Sequence, residues 1–235
     1  MKLSVNLNKI ALLRNARGEN YPNIEYFANK AIALGVDGLT LHPRPDHRHA
    51  TSDDVIKLSK LTKEKGVEFN IEGNPFSKPK NEFLGFCELV EIIKPDQITL
   101  VPDSIDQITS DHGWSSGKHD DDLMHVINKL KEYSNDAPIS LFIDSIEGVE
   151  YAYEMGSSLV EIHTGEFSKA IETKNVKAVD DIVKIVKLAS KLNLSVNAGH
   201  DLNLNNLSYL VDIGNINEVS IGHAIIVDSL HYGFE

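Results

Sequence analysis

Residues able to do acid–base and anion chemistry crowd into one stretch, Leu39–His49, which reads Leu-Thr-Leu-His-Pro-Arg-Pro-Asp-His-Arg-His. It holds three histidines (His42, His47, His49) and two arginines (Arg44, Arg48). Imidazole exchanges protons near neutral pH. Guanidinium grips phosphate or carboxylate in a planar, two-pronged geometry, whereas lysine is a point charge. The chain has four arginines against nineteen lysines, and the other two, Arg14 and Arg17, follow a β-rich run near the N-terminus. Arginines placed only beyond two strand ends predict an anion site there.

Further reactive side chains close other short apolar runs. They are Asn6, Asn8 and Lys9; Asn70 and Glu72; Thr99 and Asp103; Asp144; Glu161 and His163; Asn197 and His200; and Gly222-His223. Polar groups on apolar strands are costly unless satisfied. A mixture of carboxylates and imidazoles at strand ends suits proton shuttling. Structural readings stand beside the chemical ones. Asn6, Asn70 and Asn197 fit barrel-layer residues bonded to each other, Asp144 fits a helix cap, and His47 and Arg48 fit solvated loop positions. Glu161 and His163 alternate and so share a side. His112, His119, His125 and His231 read as surface or loop histidines.

Eight strand-like runs position these residues: Leu3–Asn8, Gly38–His42, Glu68–Gly73, Gln97–Pro102, Ile139–Asp144, Leu159–Gly165, Ser195–His200 and Glu218–Ile226. Their near-continuous apolar character suits parallel strands buried on both faces. Helical spacing separates them: Ile24, Phe27, Ala28 and Ala31 behind an Asn23 cap; Val55, Leu58 and Leu61 behind Ser52-Asp53-Asp54; Leu123, Val126, Ile127 and Leu130; and, longest, Ile182, Ile185, Val186 and Ala189. This alternation predicts one α/β domain over residues 1–235, a (β/α)₈ barrel with its site at the carboxyl ends of the strands. A doubly wound open sheet is the alternative. Two long connections, Asp103–Lys118 and Glu166–Lys174, read as candidate lids, with Gly113 and Gly117 as pivots of the first. Glycine turns after strands seven and eight suit a phosphate cradle.

A net charge of −12 argues against a nucleic-acid partner. No apolar run reaches membrane-spanning length, and Met1-Lys2 leads directly into a strand pattern without a signal region. One cysteine, Cys87, excludes an internal disulfide, fits a cytoplasmic setting and reads as a buried, inert thiol.

Taken in order, Val5–Gly18, Asp37–Arg44, Asn70-Ile71-Glu72, Thr99–Pro102, Ser140–Asp144, Glu161–Gly165, Val196–His200 and Ile221–Ile226 resemble the pyridoxine 5′-phosphate synthase family of vitamin B6 biosynthesis. The resemblance covers nearly the whole chain and implies a (β/α)₈ barrel. It also implies a reaction: 1-deoxy-D-xylulose 5-phosphate and 3-amino-2-oxopropyl phosphate give pyridoxine 5′-phosphate, phosphate and water, with no metal and no cofactor. By the family's motifs, His42 and Glu72 are proton acceptors, His200 a proton donor and Glu161 a transition-state stabiliser. Asn6, Arg17, Asp201, Gly222 and His223 fall where the aminoketone phosphate binds. Asn8, Lys9, Arg44, His49 and Thr109 fall where the sugar phosphate binds. The resemblance further implies a homo-octamer built from dimers, with Arg17 acting from a neighbouring subunit.

Three features depart from the pattern. Asn8-Lys9 replaces Asp-His, Asp201 replaces Gly, and the chain closes soon after strand eight, so the last helix is expected to be short or absent. Two other functions compete: a metal-dependent sugar-phosphate isomerase or epimerase using His42, Glu72, Glu161, His163 and His200, and a non-catalytic phospho-ligand-binding barrel.

Overall fold

The computed structural model describes residues 1–234 apart from Ile105, Ile108, Lys118, His119 and Asn175, and of Val176, Lys177 and Ala178 only the backbone. Eight parallel strands close into a barrel in sequence order. They are β1 (Lys2–Asn6), β2 (Gly38–Leu41), β3 (Glu68–Gly73), β4 (Gln97–Leu100), β5 (Ile139–Ile143), β6 (Leu159–His163), β7 (Ser195–Gly199) and β8 (Glu218–Ile221). Ten helices are described among these residues: α1 (Asn8–Asn15), α2 (Ile24–Ala33), α3 (Ser52–Lys65), α4 (Phe86–Ile93), α5 (Asp120–Ser134), α6 (Ile146–Glu154), α7 (Gly165–Thr173), α8 (Val176–Lys191), α9 (Leu207–Ile213) and α10 (His223–Tyr232). None is long and apolar enough to cross a membrane among the described residues.

The apolar core lies between barrel and helices. Leu39, Leu41, Phe69, Ile71, Ile98, Leu100, Val160, Ile162, Val196 and Ala198 are buried there with Ala28, Leu58, Leu89, Ile127 and Ala189 from the helices. Alternate strand residues point the other way, and they are polar. Ser4 bonds Thr40 at 2.7 Å, Asn70 bonds Thr40 and accepts from Thr99, and Asn197 Nδ2 donates to Gln97 on the far side of the barrel at 3.1 Å. Barrels of this kind usually fill that space with branched apolar side chains. Asn70 and Asn197 are thus layer residues whose partners are threonine and glutamine, whereas Asn6 donates to Glu72 and accepts from the Asn8 N–H.

Local structure departs from the sequence reading in four places. Asn8, read as the end of the first strand, opens helix α1 instead, because β1 stops at Asn6. Residues 165–173 form α7 rather than a lid, because Phe167 and Ala170 bury one face of a helix there. The β-branched run Ile225-Ile226-Val227 is helical in α10, since β8 stops at Ile221 and Ile225 and Ile226 pack on the core; the last helix is present. Caps also shift by one residue. Thr51 caps α3 in a box with Asp54, and Ser145, not Asp144, caps α6. Asn23 caps α2 as its sequence position predicts.

Helix α1 clamps the loop after β2. Arg14 forms a two-pronged pair with Asp54, one arm at 2.7 Å, and Asn15 Nδ2 donates to the carbonyls of His47 (2.9 Å) and His49 (2.7 Å). Burial would raise the Asp54 pKa, but the Arg14 and Thr51 bonds outweigh it and hold the carboxyl below its usual range. The stabilisation is therefore present above about pH 4 and lost as pH falls through the lowered folded value. Asp54→Asn should cost roughly 1–3 kcal/mol at neutral pH. It should also make the decline in stability on acidification shallower, as read by urea unfolding at a series of pH values. A variant as stable as wild type at pH 7 would show the clamp to be dispensable.

Candidate active site

The carboxyl ends of the strands open into a cavity of about 520 Å³. The residues given roles above line it together, with Arg17 the exception. Arg17 is exposed on the turn after α1, outside its own chain's cavity. Ser110, Phe142, Lys169 and Ser220 also line it and went unnoticed in the sequence. Ser220 sits mid-strand with no neighbouring signal, and Lys169 lay in a segment read as loop.

Two carboxylates occupy the mouth. Glu72, at the end of β3, is 8% exposed. It accepts from Asn6 Nδ2 and Ser220 Oγ, both at 3.4 Å. Burial pushes its pKa up to about 7, with help from the charges of Asp103 and Glu218 and against the Ser220 hydrogen bond. Glu161, within β6 and two positions before its end, is buried in the same mouth and accepts from Thr99 Oγ1 at 3.3 Å. Burial raises its pKa well above the ordinary value, and an ionised Glu72 raises it further. Gly199 makes room for the Glu161 carboxylate, because a side chain there would collide with it.

His42 stands between acids. Its Nδ1 is 3.8 Å from Glu72 Oε2 and its Nε2 is 3.2 Å from Asp103 Oδ2. Its backbone N–H donates to Asn8 Oδ1 at 2.9 Å. That contact gives the amide at position 8 a task a carboxylate oxygen would also perform. His49 packs edge-on to His42, and burial followed by the charges of His42 and Arg44 lowers its pKa to about 3, so it is a neutral imidazole.

His200 directly follows β7 with φ +81°, and Asp201 comes next at φ +58°. Left-handed backbone favours glycine, and aspartate is among the few residues that tolerate it. Ser168 Oγ and Asn206 Nδ2 hold the Asp201 carbonyl, both at 3.0 Å, and Thr164 Oγ1 holds the Gly199 carbonyl at 2.7 Å. The Asp201 carboxylate turns to His200 Nδ1 at 3.1 Å. Thr109 reaches over from the β4–α5 loop to His200 Nε2 at 2.8 Å. His163 packs edge-on to His200, ring centres 4.7 Å apart, and burial with the His200 charge lowers its pKa to about 4.

Arg44, expected at a bound phosphate, already has protein partners, and Arg48 is structural. Arg44 pairs with Asp103 and donates to the carbonyls of Ser104 and Gln107, and Arg48 donates to Gln107 O at 2.6 Å. Both arginines hold the β4–α5 loop. Gly113 is an anchor of that loop rather than a pivot: its N–H donates to Asp144, and its Cα packs so closely on β5 that no side chain would fit. Positive potential at the cavity comes also from Lys9, Lys169 and the N-termini of α1 and α10. Gly222, the α10 cap, lies against the Asn6 carbonyl where a Cβ would clash. Among the described residues no group of three His, Cys, Asp or Glu side chains is arranged to hold a metal ion. Cys87 is half-buried, bonds Pro75 O, and has its thiol pKa raised by burial. His112, His125 and His231 are exposed, and His119 lies outside the described residues.

A family model described as pyridoxal phosphate biosynthesis protein PdxJ matches residues 3–235. The chain belongs to this family. Relatives named pyridoxine 5′-phosphate synthase include that of Xylella fastidiosa (strain M23), 43% identical over 99% of this chain and 90% of the relative. That of Christiangramia forsetii is 43% identical over 100% of this chain and 94% of the relative. Among solved structures, thiamine phosphate pyrophosphorylase from Pyrococcus furiosus is similar with a TM-score of 0.61 at 15% identity, covering 96% of this chain and 87% of that one. Deoxyribose phosphate aldolase from Aeropyrum pernix gives 0.60 at 14%, covering 98% and 89%. These two likenesses show the barrel fold alone.

Glu72 makes this family member less stable than it need be. Its folded pKa lies above the unfolded value, so the native state is progressively penalised as pH rises from about 4 to about 7 and the penalty then levels off. Glu72→Gln should therefore melt at a higher temperature than wild type at pH 8 and at the same temperature at pH 4. Equal melting temperatures at both pH values would show that Glu72 ionises freely.

Proposed function

We propose that this chain catalyses the ring-forming step of vitamin B6 biosynthesis, joining 1-deoxy-D-xylulose 5-phosphate to 3-amino-2-oxopropyl phosphate and releasing pyridoxine 5′-phosphate, phosphate and water. The observation that carries the mechanism is the pair of buried carboxylates with raised pKa beside His42, facing His200 across one cavity. An imine must form between amine and ketone, phosphate and water must leave, and the ring must close. Each step moves protons on carbon or oxygen near neutral pH.

In this reading His42 and Glu72 accept protons and His200 donates one. Glu72, poised near pH 7, can take a proton from one intermediate and return it to another. Glu161 keeps its proton and acts as a neutral donor that stabilises developing negative charge. Asn6, Asp201, Gly222 and His223 hold the aminoketone phosphate at the N-terminus of α10. Arg17 reaches that site from a neighbouring subunit. Asn8, Lys9, Arg44, His49 and Thr109 hold the sugar phosphate, which must share Arg44 with Asp103. No metal takes part. We place the reaction in the cytoplasm, in a homo-octamer built from dimers. The exposed apolar residues Leu12, Leu13, Leu230 and Tyr232 on α1 and α10 support burial against another copy.

Mixing the two substrates should yield pyridoxine 5′-phosphate, read by its absorbance, and prior treatment with EDTA should leave the rate unchanged. Glu72→Gln keeps shape and hydrogen bonding but cannot exchange a proton, so turnover should fall by roughly 10²–10⁴ with little change in substrate binding. Near-normal turnover would remove Glu72 from the mechanism. EDTA inactivation rescued by added metal would favour an isomerase or epimerase instead.

A further inference from the structure

Asp103 has no part in the roles above, yet it is 7% exposed and sits behind His42, outside the lining of the main cavity. It follows β4 and opens the β4–α5 loop. One oxygen, Oδ2, meets both His42 Nε2, at 3.2 Å, and Arg44 Nη1. Its backbone carbonyl accepts from Asn74 Nδ2 at 2.7 Å, and Asn74 is itself fixed by the Phe76 N–H at 2.8 Å. Asp103 is thus held through its carboxylate by Arg44 and through its backbone carbonyl by the β3–α4 loop. Burial would raise its pKa, but the neighbouring His42 and Arg44 outweigh burial and keep it ionised. At 3.2 Å from Oδ2, Nε2 is close to the carboxylate but outside hydrogen-bond geometry, and catalytic contacts of this kind commonly align only when substrate is bound.

We propose that Asp103 is the positioning residue for His42, holding the Nε2–H tautomer so that the Nδ1 lone pair faces Glu72 and the cavity. The proposal rests on the reading of His42 as a proton acceptor. An imidazole with a proton on the wrong nitrogen cannot accept one where the substrate needs it, and a buried carboxylate behind the ring both selects the tautomer and stabilises the imidazolium that forms. The Nδ1–Glu72 separation of 3.8 Å is beyond hydrogen-bond range, so in the resting site neither group is consumed by the other. The Asn8 contact to the His42 N–H fixes the backbone from a third direction. Of the groups facing the ring, Glu72 on β3, Glu161 on β6 and Asp103 favour imidazolium when ionised. Arg44 opposes it, and His49 is neutral.

The competing role is purely structural: Asp103 as counter-ion to Arg44. Nitrogen-15 NMR of the labelled imidazole, assigned with His42→Gln, separates the two without substrate and so independently of the reaction. Wild type above its titration should show the proton on Nε2. Asp103→Asn should give mixed tautomers, and Asp103→Glu should restore the Nε2–H form. In turnover, Asp103→Asn should lower kcat by about 10–100-fold, the usual worth of a residue that orients a reactive histidine. The acidic limb of its kcat/KM profile should move down by about one pH unit, because a carboxylate that favoured imidazolium is gone. A wild-type proton on Nδ1 would overturn the proposal even if the variants fail to fold. An unchanged tautomer in Asp103→Asn, with loss confined to KM for the sugar phosphate, would also overturn it.

Discussion

Two carboxylates share the dry mouth of a barrel, and both cannot be charged there without large cost. Glu72 and Glu161 come from strands three and six, and each sits where burial disfavours ionisation. The charge of one suppresses ionisation of the other. Both carboxyls are therefore held above the ordinary carboxylate range, the condition that the acid and base roles proposed for them would need. The arrangement depends on small neighbours: Gly199 leaves space for Glu161, and Ser220 gives Glu72 a weak partner without pinning it.

The barrel interior is built to carry that constraint. Hydroxyls and amides of Ser4, Thr40, Asn70, Thr99, Gln97 and Asn197 link strand to strand beneath the carboxylates. An apolar filling would desolvate Glu72 and Glu161 with no hydrogen-bonding support. The apolar contribution to stability is displaced outward, to the layer between strands and helices, where each strand still buries half of its side chains. One chain can therefore be stable as a whole while holding a costly pair of acids at its centre.

Around this centre the cations act first on the protein. Arg14 clamps Asp54, while Arg44 and Arg48 hold the β4–α5 loop through Asp103 and the Gln107 carbonyl. The loop's far part is tied to β5 by Gly113 and Trp114, and its near part reaches His200 through Thr109. The β2 and β4 loops are therefore one linked unit over the cavity. A guanidinium fork suits this task because it satisfies several acceptors in one plane.

Much of this was legible in the sequence. Near-continuous apolar strand runs alternating with helical spacing announce a parallel barrel, because both faces of each strand and one face of each helix must be covered. Histidines and carboxylates at run ends announce the site, since strand ends are where polar groups escape the core. What the sequence could not settle is set by contacts between distant segments. The β-branched run after Gly222 becomes helix because the barrel closes at Ile221 and only a helix then returns Ile225 and Ile226 to the core. Asp201 stands at a left-handed position that no local pattern reveals. Asp103 meets His42 only once β2 and β4 converge, sixty-one positions apart in the chain. Residue type and spacing state which chemistry is possible; the tertiary structure decides which atoms face each other, because proton affinity and orientation depend on neighbours the chain brings together only on folding.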